Sequence, residues 1–184
     1  LRGVCRGGGK GCADVANRRA GQARDRRMAL GNGYDLTTAG ERALLSGGGA
    51  GVPPMLGLCR RLLAEGRKPG VSLGCNTASE VFYEDRFRAL GAEVTVTTAD
   101  GSYGTPGFVT AAMDDAPYTY FYTCGPMPMF RAVDRAARTS GQFSFEERMG
   151  CGFGACMGCT CKTKYGAKRI CKDGPVLRRE EIVW

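Results

Sequence analysis

Ala43-Leu-Leu-Ser-Gly-Gly-Gly-Ala-Gly-Val-Pro-Pro54 runs from a short apolar stretch through a glycine turn into a proline-opened segment. The apolar stretch reads as a strand. Met55, Leu58, Leu62 and Leu63 then recur at helical spacing between Val52 and Glu65, and Gly66 and Pro69 end that helix. A glycine turn between strand and helix lets a phosphate approach the backbone, and the helix N-terminus favours its negative charge. Gly47, Gly48, Gly49 and Gly51 are therefore candidate dinucleotide contacts; the alternative is a plain tight turn.

The same alternation continues outward. Val71–Cys75 reads as a second strand. A helix follows, capped by Ser79 and running to Leu90, with Val81, Phe82, Phe87 and Leu90 inward. Glu93–Thr97 is a third strand, alternating and β-branched. Pro106–Met113 reads as a short helix, Tyr118–Thr123 as a fourth strand, and Met127–Thr139 as a helix with Phe130, Val133 and Ala137 on one face. Strands separated by helices of this length imply α/β architecture with a doubly wound parallel sheet. Thr123-Cys124-Gly125-Pro126-Met127 also leaves a strand and enters a helix, which puts it at the C-terminal edge of the sheet, where ligands bind in open α/β folds. Cys124 and Gly125 there suit a flat ring; the alternative for Cys124 is a buried core cysteine. Asp100-Gly-Ser-Tyr-Gly104 is a turn at the same edge.

From residue 142 the chain becomes rich in Gly and Cys and loses helical periodicity. Cys151, Cys156, Cys159 and Cys171 form C-x4-C-x2-C-x11-C. Plant-type 2Fe–2S clusters use C-x4-C-x2-C and a distant fourth thiolate. Gly152, Gly154, Ala155 and Gly158 give the loop the freedom to wrap a compact inorganic core. Zinc modules usually pair two C-x2-4-C knuckles, and only one such step is present here, so zinc or unrelated thiols are the competing readings. Cys161, two residues past Cys159, is a possible exchange ligand. The expected domains are thus 37–141 for the nucleotide fold and 142–184 for a small cluster domain held by its metal as much as by its core.

Composition bounds the rest. The 184 residues suit one domain and a small annex. No apolar run is long enough for a membrane helix, and no secretory h-region opens the chain, so the ten cysteines point to a reducing, cytoplasmic compartment and to metal rather than disulfides. With no histidine, a His-based triad and a Rieske centre are excluded, and no catalytic acid or base stands out. The net charge of +8 is uneven: residues 1–27 carry +6 and residues 28–184 carry +2. The body is nearly neutral, which argues against a nucleic-acid face.

Over roughly residues 28–184 the chain resembles the electron-transfer subunits of bacterial dihydroorotate dehydrogenases, ferredoxin-reductase-like flavoproteins. The matching pieces are Leu30–Leu36, Gly47–Pro54, Asp100–Gly104, Cys124–Met127, the Cys151–Cys161 block and Arg169-Ile-Cys-Lys-Asp-Gly-Pro-Val176, the last two being the most specific. The resemblance implies an FAD-cradling β-barrel, then an NAD domain, then the 2Fe–2S domain. It also implies a hetero-oligomer with an FMN-containing catalytic subunit that oxidises dihydroorotate, electrons passing from FMN through cluster and FAD to NAD. Gly47–Gly51 would meet the dinucleotide phosphates, Cys124 and Gly125 the nicotinamide, and Cys151, Cys156, Cys159 and Cys171 the cluster. Residues 1–36 stand as the remnant of the barrel, with Gly9, Gly11 and Cys12 at the FAD pyrophosphate. Most of the barrel, with its arginine-aromatic-serine flavin motif, is missing. The front reads as the truncated or corrupted part of a longer gene, so weak FAD binding and no activity alone are expected. The loop Gly152–Gly158 and the tail Pro175–Trp184 are the expected contact with the partner, with Val176, Leu177, Ile182 and Trp184 as apolar anchors; the alternative for Trp184 is that it folds back on its own domain. A related flavin–iron–sulfur subunit serving another enzyme, or a zinc-stabilised binding module, would fit many of the same residues.

Overall fold

The computed structural model describes residues 30–114 and 117–184, together with Asn17. Gly9, Gly11, Cys12 and nearly all of the expected barrel remnant lie outside the described residues. The first strand, β1 (Ala43–Gly48), is buried along its whole length, as expected of a strand covered on both faces. Helix α1 (Val52–Ala64) follows the glycine turn. Strands β2 (Gly70–Cys75) and β3 (Glu93–Thr98) stack outward on one side, ending at the two-residue β4 (Thr105–Pro106). The chain then crosses back, and β5 (Tyr120–Cys124) pairs with the other side of β1. With β6 (Gly141–Ser144) and β9 (Val176–Arg178), the sheet order is β4-β3-β2-β1-β5-β6-β9, and every pair is parallel except the last.

Two cores flank this sheet. On one face, Met55, Cys59 and Leu62 of α1 pack over Leu45, Leu73 and Tyr122, together with Phe87 of the short helix α2 (Glu84–Ala89). On the other, Phe130 and Val133 of α3 (Met127–Ala136) pack over Leu44, Phe121 and Phe143. The segment Leu30–Leu36 straps across the sheet. Asn32 exchanges two hydrogen bonds with the backbone of Val176, and the Tyr34 hydroxyl donates to the Thr123 carbonyl. Buried Gln142 accepts from the Asp35 amide and donates to its carbonyl.

The structure differs from the sequence reading at three places. The helix expected from Ser79 is a 3-10 turn at Ala78–Glu80 followed by α2, because Tyr83 adopts a left-handed backbone (φ 67°) and interrupts it. The Ser79 hydroxyl pairs with that of Thr77 instead of capping. The helix expected over Pro106–Met113 contracts to a 3-10 turn at Val109–Ala112, preceded by Gly107 at φ 116°. The segment from residue 142 is also more ordered into the sheet than its composition indicates. Strand β6 (Gly141–Ser144) pairs with β5, and β9 (Val176–Arg178) pairs antiparallel with β6, Phe143 opposite Leu177. Between them lies the hairpin β7 (Thr160–Thr163) and β8 (Gly166–Arg169). Cys159, Ile170, Cys171 and Leu177 join Phe143 in the second core.

Phe143 has no exposed surface and lies within 5.2–5.3 Å, centroid to centroid, of Phe121, Phe130 and Trp184. Phe143→Ala should destabilise the fold by about 3–5 kcal/mol, read as a lower urea midpoint with an unchanged slope.

Candidate nucleotide and cluster sites

Parallel strands end on one edge. Gly47 of β1 is the register partner of Cys124 of β5, and the chain order reverses between these two strands. A crevice opens where connections leave in opposite directions, and this is where open α/β sheets take their ligands. The glycine turn and the Cys124-Gly125 turn flank that point.

Their packing explains the residue choice. Gly51 sits against the Cys124 carbonyl, where a side chain would collide with backbone. A Cβ at Gly48 would lie 2.5 Å from the Met129 sulfur, and one at Gly125 would lie 2.6 Å from it. Gly49 takes φ 52°. Pro53 and Pro54 occupy the first turn of α1 and carry no N–H, so the donors at this helix end are the amides ahead of Pro53. The cradle thus has no side chains between the backbone and an incoming phosphate.

Cys124 is half-buried beside Tyr34. Burial pushes its thiol up, and hydrogen bonds with Ser144 and Tyr34 offset this only in part. Burial likewise holds the Tyr34 hydroxyl protonated well above its ordinary range. Both groups are thus held in their neutral forms, the Glu146 charge adding to the rise at Cys124. At the end of β3, the Asp100 carboxylate accepts from the Ser102 amide and hydroxyl, and the Ser102 hydroxyl accepts from the Ala78 amide. Thr98 and Tyr103 close the same turn by reciprocal bonds. The Asp100–Gly104 turn is thereby fixed at the edge where the crevice opens.

The thiols of the cluster segment come in two pairs. The Cys156 amide donates to the Cys151 sulfur at 3.4 Å, and the Cys171 amide donates to the Cys159 sulfur at 3.4 Å. Backbone amides of Cys156 and Phe153 pull the Cys151 thiol down to about 6. Cys171 moves the other way, raised by burial first and then by its hydrogen bond with Cys159 and the charges of Cys159 and Cys151. Among the described residues, no three Cys, Asp or Glu side chains converge on a single metal ion. Two thiol pairs, each fed by backbone N–H, match a donor set divided between two irons. Gly152 and Gly154 take φ 76° and 91°, and Met157 is forced to φ 58°, a left-handed conformation that an ordinary side chain resists. The Thr160 hydroxyl holds that turn through the Met157 carbonyl.

Cys161 does not join the four. It lies on β7 against the second core, and burial pushes its thiol up. Cys59 is buried under α1, with its thiol pushed up to about 11. The expected tail anchors are corrected in part. Val176, Leu177 and Ile182 are buried, and Trp184 packs on Phe143 and Phe145 while keeping 39% of its surface exposed. The ligand loop carries three exposed apolar residues of its own: Met149, Phe153 and Met157. Sequence reasoning also gave no role to Tyr34, Gln142 or Arg169, although Tyr34 and Arg169 lie inside the pieces that carry the resemblance.

The family described as the iron-sulfur cluster binding domain of dihydroorotate dehydrogenase B matches residues 146–183. A dihydroorotate dehydrogenase B (NAD(+)) electron transfer subunit from Shouchella clausii is 43% identical, covering 98% of this chain and 73% of that protein. The one from Bacillus caldolyticus is 45% identical, covering 95% and 71%. Among solved structures, the NADH-dependent reduced ferredoxin-NADP oxidoreductase studied for flavin-based electron bifurcation superposes at TM-score 0.84 with 28% identity. That match covers 96% of this chain and 66% of that one. Full-length CYP116B46 from Tepidiphilus thermophilus shares the fold at TM-score 0.53 and 15% identity. The glycine crevice, the paired thiols and these likenesses agree: the chain belongs to the family of dihydroorotate dehydrogenase B electron transfer subunits.

Proposed function

We propose that this chain supplies the nucleotide and cluster portion of an electron-transfer subunit that links NAD, through FAD and a 2Fe–2S cluster, to a catalytic partner. The observation that carries this reading is the split of four cysteines into two amide-fed pairs, one of which, Cys159 and Cys171, is buried in the core under the sheet. When bound, the cluster supplies one-electron transfer and the nicotinamide takes or gives a hydride, with the flavin between them. The chain's own residues position these groups. Gly47, Gly48, Gly49 and Gly51 receive the dinucleotide phosphates, and Cys124 with Gly125 forms the floor for the ring. Cys151, Cys156, Cys159 and Cys171 would hold the cluster, as the two amide-fed pairs suggest. Gly9, Gly11 and Cys12 are assigned to the FAD pyrophosphate. With no histidine in the sequence, the substrate's proton chemistry is assigned to the partner.

The relatives' name supports a partner that is the catalytic subunit of a dihydroorotate dehydrogenase; in this proposal the partner is FMN-containing and joined to the chain in a cytoplasmic hetero-oligomer. Its reaction is oxidation of dihydroorotate to orotate in pyrimidine synthesis. Among the described residues no helix is long and apolar enough to cross a membrane. One-electron transfer requires the cluster close to the partner's flavin. The ligand loop, with Met149, Phe153 and Met157 at 43%, 61% and 51% exposure, is the contact face. Anaerobic reconstitution of the chain should give iron with acid-labile sulfide and iron–sulfur absorbance. Zinc without sulfide would overturn the reading. The likeness to the ferredoxin-NADP oxidoreductase favours, as second choice, a subunit serving another enzyme. Failure to capture an FMN-containing dihydroorotate dehydrogenase, with the cluster intact, would select it.

Cys156→Ser should abolish the iron–sulfur absorbance, whereas Cys161→Ser should keep it; loss of the spectrum in Cys161→Ser would contradict the ligand assignment. Gly51→Val should push the glycine turn off the Cys124 carbonyl and misplace the phosphate-facing amides. A lost charge-assisted hydrogen bond costs about 1.5–3 kcal/mol, so NADH affinity should fall roughly ten- to hundredfold in a fluorescence titration. Phe153→Asp should weaken capture of the catalytic subunit by roughly tenfold or more, the effect of losing an interface hot spot. Its cluster spectrum should stay unchanged, and undiminished capture would remove the ligand loop from the interface.

A further inference from the structure

Arg169 occupies a position that no ligand assignment uses. It ends β8, two residues before Cys171. Its carbonyl accepts the amides of Lys172, Asp173 and Gly174, so it closes the turn that carries the fourth thiol. Its side chain reaches the other half of the site: Nη1 donates to the Gly154 carbonyl, in the middle of the Cys151–Cys156 loop, at 3.3 Å. Nε donates to Asp173 Oδ2 at 2.9 Å, and the same carboxylate oxygen accepts the Arg169 amide at 3.0 Å. One guanidinium therefore bridges the two chain segments that bring the cysteines together. It stands on the segment that carries Cys171, whose amide in turn donates to the Cys159 sulfur. The ion pair is about three-quarters buried on both sides, at 27% and 28% side-chain exposure, so solvent screens it less than a surface pair.

We infer that Arg169 is a positioning and tuning residue: it clips the ligand loop to the Cys171 turn and places a positive charge beside the Cys159–Cys171 pair, raising the reduction potential of the bound cluster. The physical reason is differential. A 2Fe–2S cluster gains one negative charge when reduced, and a fixed cation nearby stabilises the more negative form. Asp173 opposes this with a charge of its own and holds the guanidinium in place. The inference rests on the cluster reading above.

Three variants of the anaerobically reconstituted chain test it by potentiometric titration, followed by visible circular dichroism and electron paramagnetic resonance. Arg169→Gln keeps an N–H donor but removes the charge. Its cluster should assemble with a midpoint potential shifted negative by about 59 mV, a tenfold change in a one-electron equilibrium. Arg169→Lys keeps the charge and should stay near the unaltered value. Asp173→Asn keeps an acceptor, removes the opposing charge and should shift positive. An unchanged potential in Arg169→Gln, or an equal negative shift in Arg169→Lys, would overturn the inference while leaving the cluster reading intact. If Arg169→Gln retains no iron, Asp173→Asn decides alone, a positive shift supporting the inference and no shift overturning it. Absence of iron–sulfur absorbance in the unaltered chain would instead defeat the cluster reading itself.

Discussion

Phe143 receives ring contacts from β5, from α3 and from the C-terminal tail, and the architecture depends on this one packing centre. Phe121 and Phe130 meet it edge-on from the sheet and the helix, and Trp184 meets it from the chain's last residue. Its strand joins the parallel sheet on one side and receives β9 on the other. Aromatic rings bury large areas and prefer such edge-to-face contacts, so a few of them can hold together segments with little secondary structure of their own. The cluster segment is of that kind. It contains one small hairpin and two short strands, yet Cys159, Ile170, Cys171 and Leu177 are all buried in the Phe143 core.

The consequence is mechanical. Nucleotide turns and cluster thiols are tied to one sheet: Cys124 packs against the core on one face, and Cys159 and Cys171 are buried in the core on the other. The Leu30–Leu36 strap adds polar ties, with Tyr34 reaching the Thr123 carbonyl next to Cys124 and Asn32 reaching Val176 next to the cluster segment. Both ends of the electron path are thereby tied to the same sheet. Gln142 makes this strap specific, since among the described residues its buried side-chain amide is satisfied by Asp35 and Tyr120. A buried amide without partners would be costly, so the strap has one position in which it can sit.

The glycines divide by cause. Gly51 is required by a neighbour, because the Cys124 carbonyl fills the space a side chain would take. Gly152 and Gly154 are required by backbone conformation, since the loop reverses twice to bring two sulfurs near one another. Met157 shows the same constraint accepted by a residue that resists it. Strain of this sort persists when surrounding contacts over-determine it and is concentrated at functional sites. Here the Thr160 hydroxyl and the flanking cysteines fix the turn.

The sequence by itself determined the features that repeat or that depend on local chemistry. The order of strands and helices was legible from apolar periodicity, and the cluster spacing was legible because four thiolates around a small core demand it. Gly47–Gly51 and Cys124 were readable as one edge because parallel strands must all end together. What the sequence left undecided was anything set by long-range contact. Ser79 looked like a helix cap, but Tyr83 turned left-handed against Phe82 and moved the start of α2. Residues after 142 looked like a separate unit because Gly and Cys carry no periodic signal, whereas Phe143 and Leu177 find each other only across the folded sheet. The tail looked like a partner anchor because tryptophan favours interfaces, but one side of Trp184 packs on Phe143 and Phe145, and Val176, Leu177 and Ile182 are buried. Arg169 acquired a role only once Gly154, fifteen residues away in sequence, came within reach of its guanidinium. Local propensity can be read along a chain; which side chain ends beside which is decided by the core that the whole chain closes around.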